Sequence, residues 1–202
     1  MWDKRYAREQ FQYGLKPNQF LEEQSHFLSP KRQILAVADG EGRNGVWLAE
    51  QGHRVLSVDG SKVATEKAQK LAVEREVIMA TQCTDLYHWG WPENQYDCVV
   101  SIYFHMQSSQ RQRLHRNMVR ALRPNGLIIL EAFSKDQYGR DSGGPPDQDW
   151  LYSVDELRED FKDLQLECLE EVETTLDEGP LHCGKASVVR LIGMKCSSRD
   201  VF

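Results

Sequence analysis

Residues 33–59 read "QILAVADGEGRNGVWLAEQGHRVLSVD", and the order of features in this stretch decides the fold. An apolar run (33–38) breaks into Gly40, Gly42 and Gly45; a helical stretch follows, and a second apolar run (53–59) ends in Asp59. Short apolar runs bounded by glycine read as buried strands. "RNGVWLAEQG" places Val46, Leu48 and Ala49 on one side of a helix that Gly52 closes as a C-terminal cap. Strand, glycine turn, helix and strand make a βαβ unit, whose two strands run parallel in one sheet.

The pattern continues outward. "SKVATEKAQKLAVE" (61–74) is a second helix opened by Ser61, and "EVIMATQ" (76–82) and "YDCVVSIY" (96–103) are strands three and four. "SSQRQRLHRNMVRALR" (108–123) is a long helix stopped by Pro124 and Gly126, and "GLIILEAF" (126–133) is a fifth strand. Residues 134–150, rich in Gly and Pro without periodicity, read as a functional loop. "SVDELREDF" (153–161) is a short helix. Residues 164–176 and 184–196 are two strands joined by a turn around Asp177–Gly179, an antiparallel addition to the sheet. Ahead of the first strand, residues 16–28 read as a helix, preceded by an aromatic-rich segment. The expectation is one α/β domain over 1–202, a mostly parallel sheet with helices on both faces. It divides into an N-terminal cap (1–28), a core (33–133), a substrate loop (134–150) and a C-terminal helix with antiparallel strands (151–196).

Composition narrows the partners. At 40 % hydrophobic and 28 % charged residues the 202-residue chain is an ordinary globular mixture. A net charge of −6 argues against general nucleic-acid binding, which needs clustered Lys and Arg. No window approaches the roughly 18 apolar residues of a membrane span, and "MWDKRYAREQF" lacks a signal-peptide core. Five cysteines without a C-x-x-C pair suggest free thiols in a reducing compartment, and no His/Cys/Asp/Glu spacing resembles a metal site. The expected setting is cytoplasmic, the partner a small molecule, and the state monomer or homodimer.

In a doubly wound sheet the ligand lies beyond the carboxyl ends of the strands, at the turn after strand one. Gly40, Gly42 and Gly45 spell G-x-G-x-x-G, and Asp59, at the end of strand two, is placed to accept both hydroxyls of a ribose. Two ligands satisfy this geometry, a nicotinamide dinucleotide and S-adenosylmethionine. For the second, the usual acid-x-Gly-x-Gly-x-Gly loop has Ala36 in place of the acid and Ala38 in place of the first glycine. Asp85, just after strand three, could accept the amino group of adenine, with an amide near Leu86 on a ring nitrogen; it could equally be a turn aspartate. "LRPNG" (122–126) and the antiparallel ending favour the methyl donor, because a dehydrogenase would more often continue into a second nucleotide-binding half.

The stretches "WDKRYAREQFQYGLKPNQFL", "DGEGRNGVWLAEQGHRVLSVDGS", "YDCVVSIYFHM", "ALRPNGLIILEAFS" and "GGPPDQDWLYSVDELREDF" resemble the class I S-adenosylmethionine-dependent methyltransferases, in particular the bacterial tellurite-resistance and thiopurine-methyltransferase-like group. The resemblance implies a Rossmann-like three-layer sandwich, a mostly parallel seven-stranded sheet with an antiparallel C-terminal strand, and S-adenosyl-L-methionine as cofactor. It implies a donor site built from Tyr13, Gly14 and Asn18, from the loop Ala38, Asp39, Gly40, Glu41, Gly42, Arg43 and Asn44, from Asp59, Gly60 and Ser61, and from Thr84, Asp85, Leu86 and Ser101. Within it Asp39 would stand in for the acid missing at Ala36, and Arg43 and Asn44 would meet the methionine carboxylate.

Methyl transfer from a sulfonium requires alignment in a dry pocket, and a base only where the acceptor loses a proton. His105, after strand four, is the candidate base, with a structural histidine as the competing reading; His182 in the last turn is a second. The expected activity is methylation of a small acceptor, including soft nucleophiles such as a thiol or a chalcogen oxyanion. A nicotinamide-dependent reductase and a non-catalytic donor-binding protein are the alternatives.

Overall fold

The computed structural model describes residues 2–196; Met1 and residues 197–202 of the expected single domain lie outside it. Seven strands, β1 (Gln33–Val37), β2 (Arg54–Asp59), β3 (Ala80–Cys83), β4 (Tyr96–Ile102), β5 (Leu122–Phe133), β6 (Leu164–Asp177) and β7 (Cys183–Lys195), form one sheet in the order β3-β2-β1-β4-β5-β7-β6. Strands β1 to β5 pair in parallel, while β7 runs antiparallel to both of its neighbours, β5 and β6. The sequence expectation of a mostly parallel seven-stranded sheet with an antiparallel C-terminal strand therefore holds. Among the described residues no helix is long and apolar enough to cross a membrane, and no group of three or more His, Cys, Asp or Glu could hold a metal ion.

Six helices flank the sheet: α1 (Trp2–Tyr6), α2 (Gln19–Glu23), α3 (Arg43–Glu50), α4 (Lys62–Glu74), α5 (Ser108–Ala121) and α6 (Val154–Asp160). Period-two alternation divides the core into two layers. Leu35, Val37, Ile128 and Leu130 face Leu114 and Met118 of α5 and Leu157 of α6. Their neighbours Ile34, Ala36, Leu127 and Ile129 face Leu21 of α2, Leu48 of α3 and Leu71 of α4. Asp160 ties the first layer: its Oδ2 accepts from Arg111 Nε at 2.7 Å and lies 2.8 Å from Nδ1 of the buried His115.

Several boundaries differ from the sequence reading. Residues 16–28 form α2 and a separate 3₁₀ turn (Ser25–Leu28) instead of one helix, because Gln24 already closes α2. Strand three begins at Ala80, not 76, since Glu76 takes a left-handed φ of 57° after α4. The long helix ends at Ala121, ahead of Pro124, because Leu122 already pairs with Tyr96; "RPNG" then forms an irregularity before Cys98 pairs with Leu127. Ser61 and Gly52 act as read: Ser61 Oγ accepts from Ala64 N–H, and Gly52 follows α3 with φ 86°.

Ser153 opens α6 with a capping box, its hydroxyl accepting from Glu156 N–H while the Glu156 carboxylate accepts from Ser153 N–H. Ser153→Ala is expected to lower stability by about 1 kcal/mol. Urea unfolding with an unchanged m-value checks it; no shift in midpoint would mean that the cap contributes nothing.

Candidate functional site

The carboxyl edge of β1, β2, β3 and β4 carries the site. Gly40 and Gly42 take φ of 58° and 88°, which glycine adopts without the cost other residues meet. Close packing adds a second reason: a Cβ on Gly40 would lie 2.9 Å from the Tyr6 hydroxyl, and one on Gly42 2.6 Å from Ala68 Cβ. Opposite them stands Asp59, buried, with Oδ2 accepting from Gly40 N–H at 2.9 Å and Oδ1 from Ser61 N–H at 2.8 Å. Burial raises its pKa against the pull of those amides. Thr84 N–H donates to Asp59 C=O and brings the loop after β3 alongside. Gly40, Asp59, Gly60, Ser61 and Thr84 thus converge.

A second group converges around Glu178, in the turn between β6 and β7. Arg43 Nη2 donates to Glu178 Oε2 at 2.8 Å, and Asn18 Nδ2 donates to Glu178 Oε1 at 2.9 Å and to Glu131 Oε1 at 2.6 Å. Asn18 N–H donates to Asn44 Oδ1, joining the N-terminal segment to the start of α3. Tyr13 and Gly14 lie against the same turn: a Cβ on Gly179 would come within 2.7 Å of Tyr13 C. Glu131 accepts further from Tyr103 Oη at 2.8 Å and Arg190 Nε at 2.7 Å, so this buried carboxylate is fully engaged. Burial alone would raise the pKa of Glu178, but His182 and the Arg43 guanidinium bring it down to about 2. Two buried polar atoms at this place have no hydrogen-bond partner, Arg43 Nη1 and His182 Nδ1; the latter stands 3.7 Å from Glu178 Oε2.

The His182 ring is enclosed by Tyr13, Tyr103 and Phe133, at centroid distances of 4.6, 4.5 and 5.2 Å. Tyr103 holds φ 54°, a strained value for an aromatic residue and one associated with functional sites. Gly143, in the 134–150 loop, packs against the His182 ring: a Cβ there would lie 2.8 Å from His182 Cδ2.

Three expectations are corrected by this geometry. Asp39 does not face the ligand side. Ala38 adopts φ 51°, and the Asp39 carboxylate turns inward to accept from Ser57 Oγ at 2.7 Å and Gly45 N–H at 3.2 Å. Burial lifts its pKa to about 7. It ties the loop to β2 and α3 and does not replace the acid absent at Ala36. His105 is the structural histidine: its Nδ1–H donates to Trp150 C=O at 2.9 Å and its Nε2 accepts from Phe133 N–H at 3.3 Å, leaving neither nitrogen for an acceptor. Burial pushes its pKa down to about 4. Glu41 points away from the loop, to Gln12 N–H and Lys67 Nζ.

Asp85 accepts from Tyr87 N–H and lies 2.7 Å from His88 Nδ1, an exposed turn, with Leu86 buried beside it. Ser101 is buried in β4, in register with Val37 and Leu130. Sequence reasoning missed Glu131, Glu178, Tyr103 and Arg190. Only "EGPLH", an acid four residues before a histidine in the last turn, offered a signal.

The methyltransferase-domain family profile matches residues 34–126, which include the glycine loop, Asp59 and Asp85. A 2-heptyl-1-hydroxyquinolin-4(1H)-one methyltransferase of Mycobacteroides abscessus is 28 % identical over 115 residues, 55 % of this chain and 51 % of that protein. The chain therefore spans about half the length of this curated relative. Among solved structures, one describing conversion of a disulfide bond into a thioacetal group during echinomycin biosynthesis has a TM-score of 0.79 at 17 % identity, covering 98 % of this chain and 92 % of that one. TehB from Haemophilus influenzae has a TM-score of 0.73 at 17 % identity, over 96 % of this chain and 65 % of that one. A SAM-dependent methyltransferase from Methanosarcina mazei gives 0.72 at 16 % identity, over 90 % and 99 %. At these identities the structures establish the shared fold. Of the two ligands that the glycines allow, the match to a methyltransferase-domain profile favours the methyl donor.

Proposed function

We propose, from the match of residues 34–126 to the methyltransferase-domain family, that the chain is a class I S-adenosylmethionine-dependent methyltransferase and methylates a small-molecule acceptor. The observation that carries the proposal is the pairing of the glycine turn with buried Asp59, whose carboxylate lies on the amides of Gly40 and Ser61 at the strand ends. A carboxylate has lone pairs beyond those two bonds, and Asp59 uses them to accept the ribose hydroxyls. Arg43 Nη1, buried without a partner, is the donor for the methionine carboxylate. Asp85 and Leu86 bound the adenine. S-adenosylmethionine, when bound, supplies an electrophilic methyl group on a sulfonium.

The rest of the work belongs to the chain. Tyr13, Tyr103 and Phe133 shield His182 from water, and a desolvated site favours displacement by a nucleophile that is weakly hydrated. Among the soft acceptors this favours a compact thiol over a more strongly hydrated chalcogen oxyanion. Burial keeps the His182 pKa below its ordinary value, so the ring is neutral at pH 7 and takes the acceptor's proton at Nδ1. Glu178, 3.7 Å away, then stabilises the charged ring.

Titration with S-adenosylmethionine and S-adenosylhomocysteine tests the donor site. Both are expected to raise the thermal midpoint, and Asp59→Ala to weaken binding at least about tenfold, the loss of one charge-assisted contact. Unchanged affinity would remove Asp59 from the ribose. Protection by NADPH in place of the methyl donor would overturn the reading, and tight donor binding without transfer across a thiol, oxyanion and amine panel would leave a binding protein.

A further inference from the structure

We infer that Lys67, which lies outside the expected donor site, is a positioning residue for the donor: it latches the N-terminal segment 6–12 onto the glycine loop and sets how long a bound donor is held. The inference rests on the donor site proposed above.

Residues 7–18, between α1 and α2, have no regular secondary structure, so their backbone groups need other partners. Lys67, on α4, supplies them. Its ammonium lies 3.4 Å from Tyr6 C=O, 2.8 Å from Arg8 C=O and 3.3 Å from Gln10 C=O, with Glu41 Oε1 at 2.5 Å. The ammonium also stands over the Phe11 ring, 4.8 Å from its centroid. Three alternate carbonyls thus share one cation, whose charge strengthens each bond. Glu41 completes the latch from the loop side, its Oε2 accepting from Gln12 N–H at 2.7 Å. The pair is well shielded, with side-chain exposures of 14 % for Lys67 and 3 % for Glu41.

The latch couples to the donor through chain connectivity. Glu41 sits between Gly40 and Gly42, so whatever orders that loop also fixes the acceptor of the Lys67 ammonium. At the far end of the segment, Asp3 Oδ1 accepts from Ser61 Oγ and from Val63 N–H, beside the Ser61 amide that holds Asp59. Between these two anchors the Tyr6 hydroxyl rests against Gly40. A segment closed over the loop slows donor release, and by linkage a bound donor holds the segment closed.

Lys67→Met removes the charge and keeps the stem. S-adenosylhomocysteine is expected to leave this variant about tenfold faster, within the usual range of coupling between two sites. The KM for the donor should rise more than kcat falls. Trypsin reads the segment directly through Lys4, Arg5 and Arg8. S-adenosylhomocysteine should protect these sites in the wild type and not in Lys67→Met. Lys67→Arg, which retains the cation, should restore both readouts, and Glu41→Gln should reproduce the loss in milder form. Release and tryptic protection identical to wild type in Lys67→Met would overturn the latch. Failure of the wild type to bind S-adenosylhomocysteine would instead overturn the donor site.

Discussion

Glu178→Ala is expected to lower stability by about 3–5 kcal/mol, the cost of leaving a buried cation without its partner. The carboxylate removed is the acceptor for Arg43 Nη2 and Asn18 Nδ2, and Arg43 already has one buried nitrogen unbonded. The loss also removes the carboxylate tie among α3, the N-terminal segment and the β6–β7 turn, leaving Asn18 N–H on Asn44 Oδ1 and Leu181 N–H on Gln12 C=O to join them. Glu178→Gln should lose less, since its amide oxygen still accepts from Asn18. Urea unfolding with an unchanged m-value measures both, and a loss under 1 kcal/mol for the alanine variant would show that Arg43 finds water on its own. A pH dependence follows from the same residue. Its folded pKa of about 2 lies below the ordinary glutamate value, so its contribution is complete above about pH 4.5 and disappears as pH falls through 2.

His105 gives the second large effect. The folded chain keeps this ring neutral down to about pH 4, while the unfolded chain protonates it near its ordinary value of 6.5. Between those values the unfolded chain binds more protons, so the contribution of His105 is present above 6.5 and is lost as pH falls toward 4. The amount is on the order of 3 kcal/mol. Asp39 acts in the opposite direction, because its raised pKa lets the folded chain bind the extra proton from about pH 7 downward. The wild-type pH profile mixes these with buried His115 and His182, whose pKa values burial also lowers, and His105→Asn isolates the share of His105. Its amide can still donate to Trp150 C=O and does not titrate. The stability difference between wild type and His105→Asn should shrink steadily from pH 7 to pH 4; a constant difference would mean that the ring charges in the folded state.

The proposed donor half of the site was legible because its parts are local. Gly40, Gly42, Asp59, Ser61 and Gly52 lie within one βαβ unit and the opening of the next helix, where strand ends and caps follow from the spacing of apolar residues. The proposed acceptor half was not, because it is assembled from distant residues. Asn18 meets Glu131 and Glu178 across 113 and 160 positions, and no local periodicity records such a contact. Two of the three misplaced side chains, Asp39 and His105, share a cause. Whether a polar residue faces a ligand or the protein depends on a single backbone rotation or on which neighbours arrive first. The left-handed turn at Ala38 sends Asp39 inward, and the backbone of Phe133 and Trp150 occupies both nitrogens of His105.

The sequence by itself thus determined the parallel sheet, the position of the glycine turn and the acid opposite it, since hydrophobic spacing and caps act over a few residues. Only the tertiary structure decided which hydrogen bonds occupy His105, which carboxylates are buried in pairs, and what holds the N-terminal segment over the loop. Those outcomes depend on desolvation and on hydrogen-bond partners that long-range packing supplies.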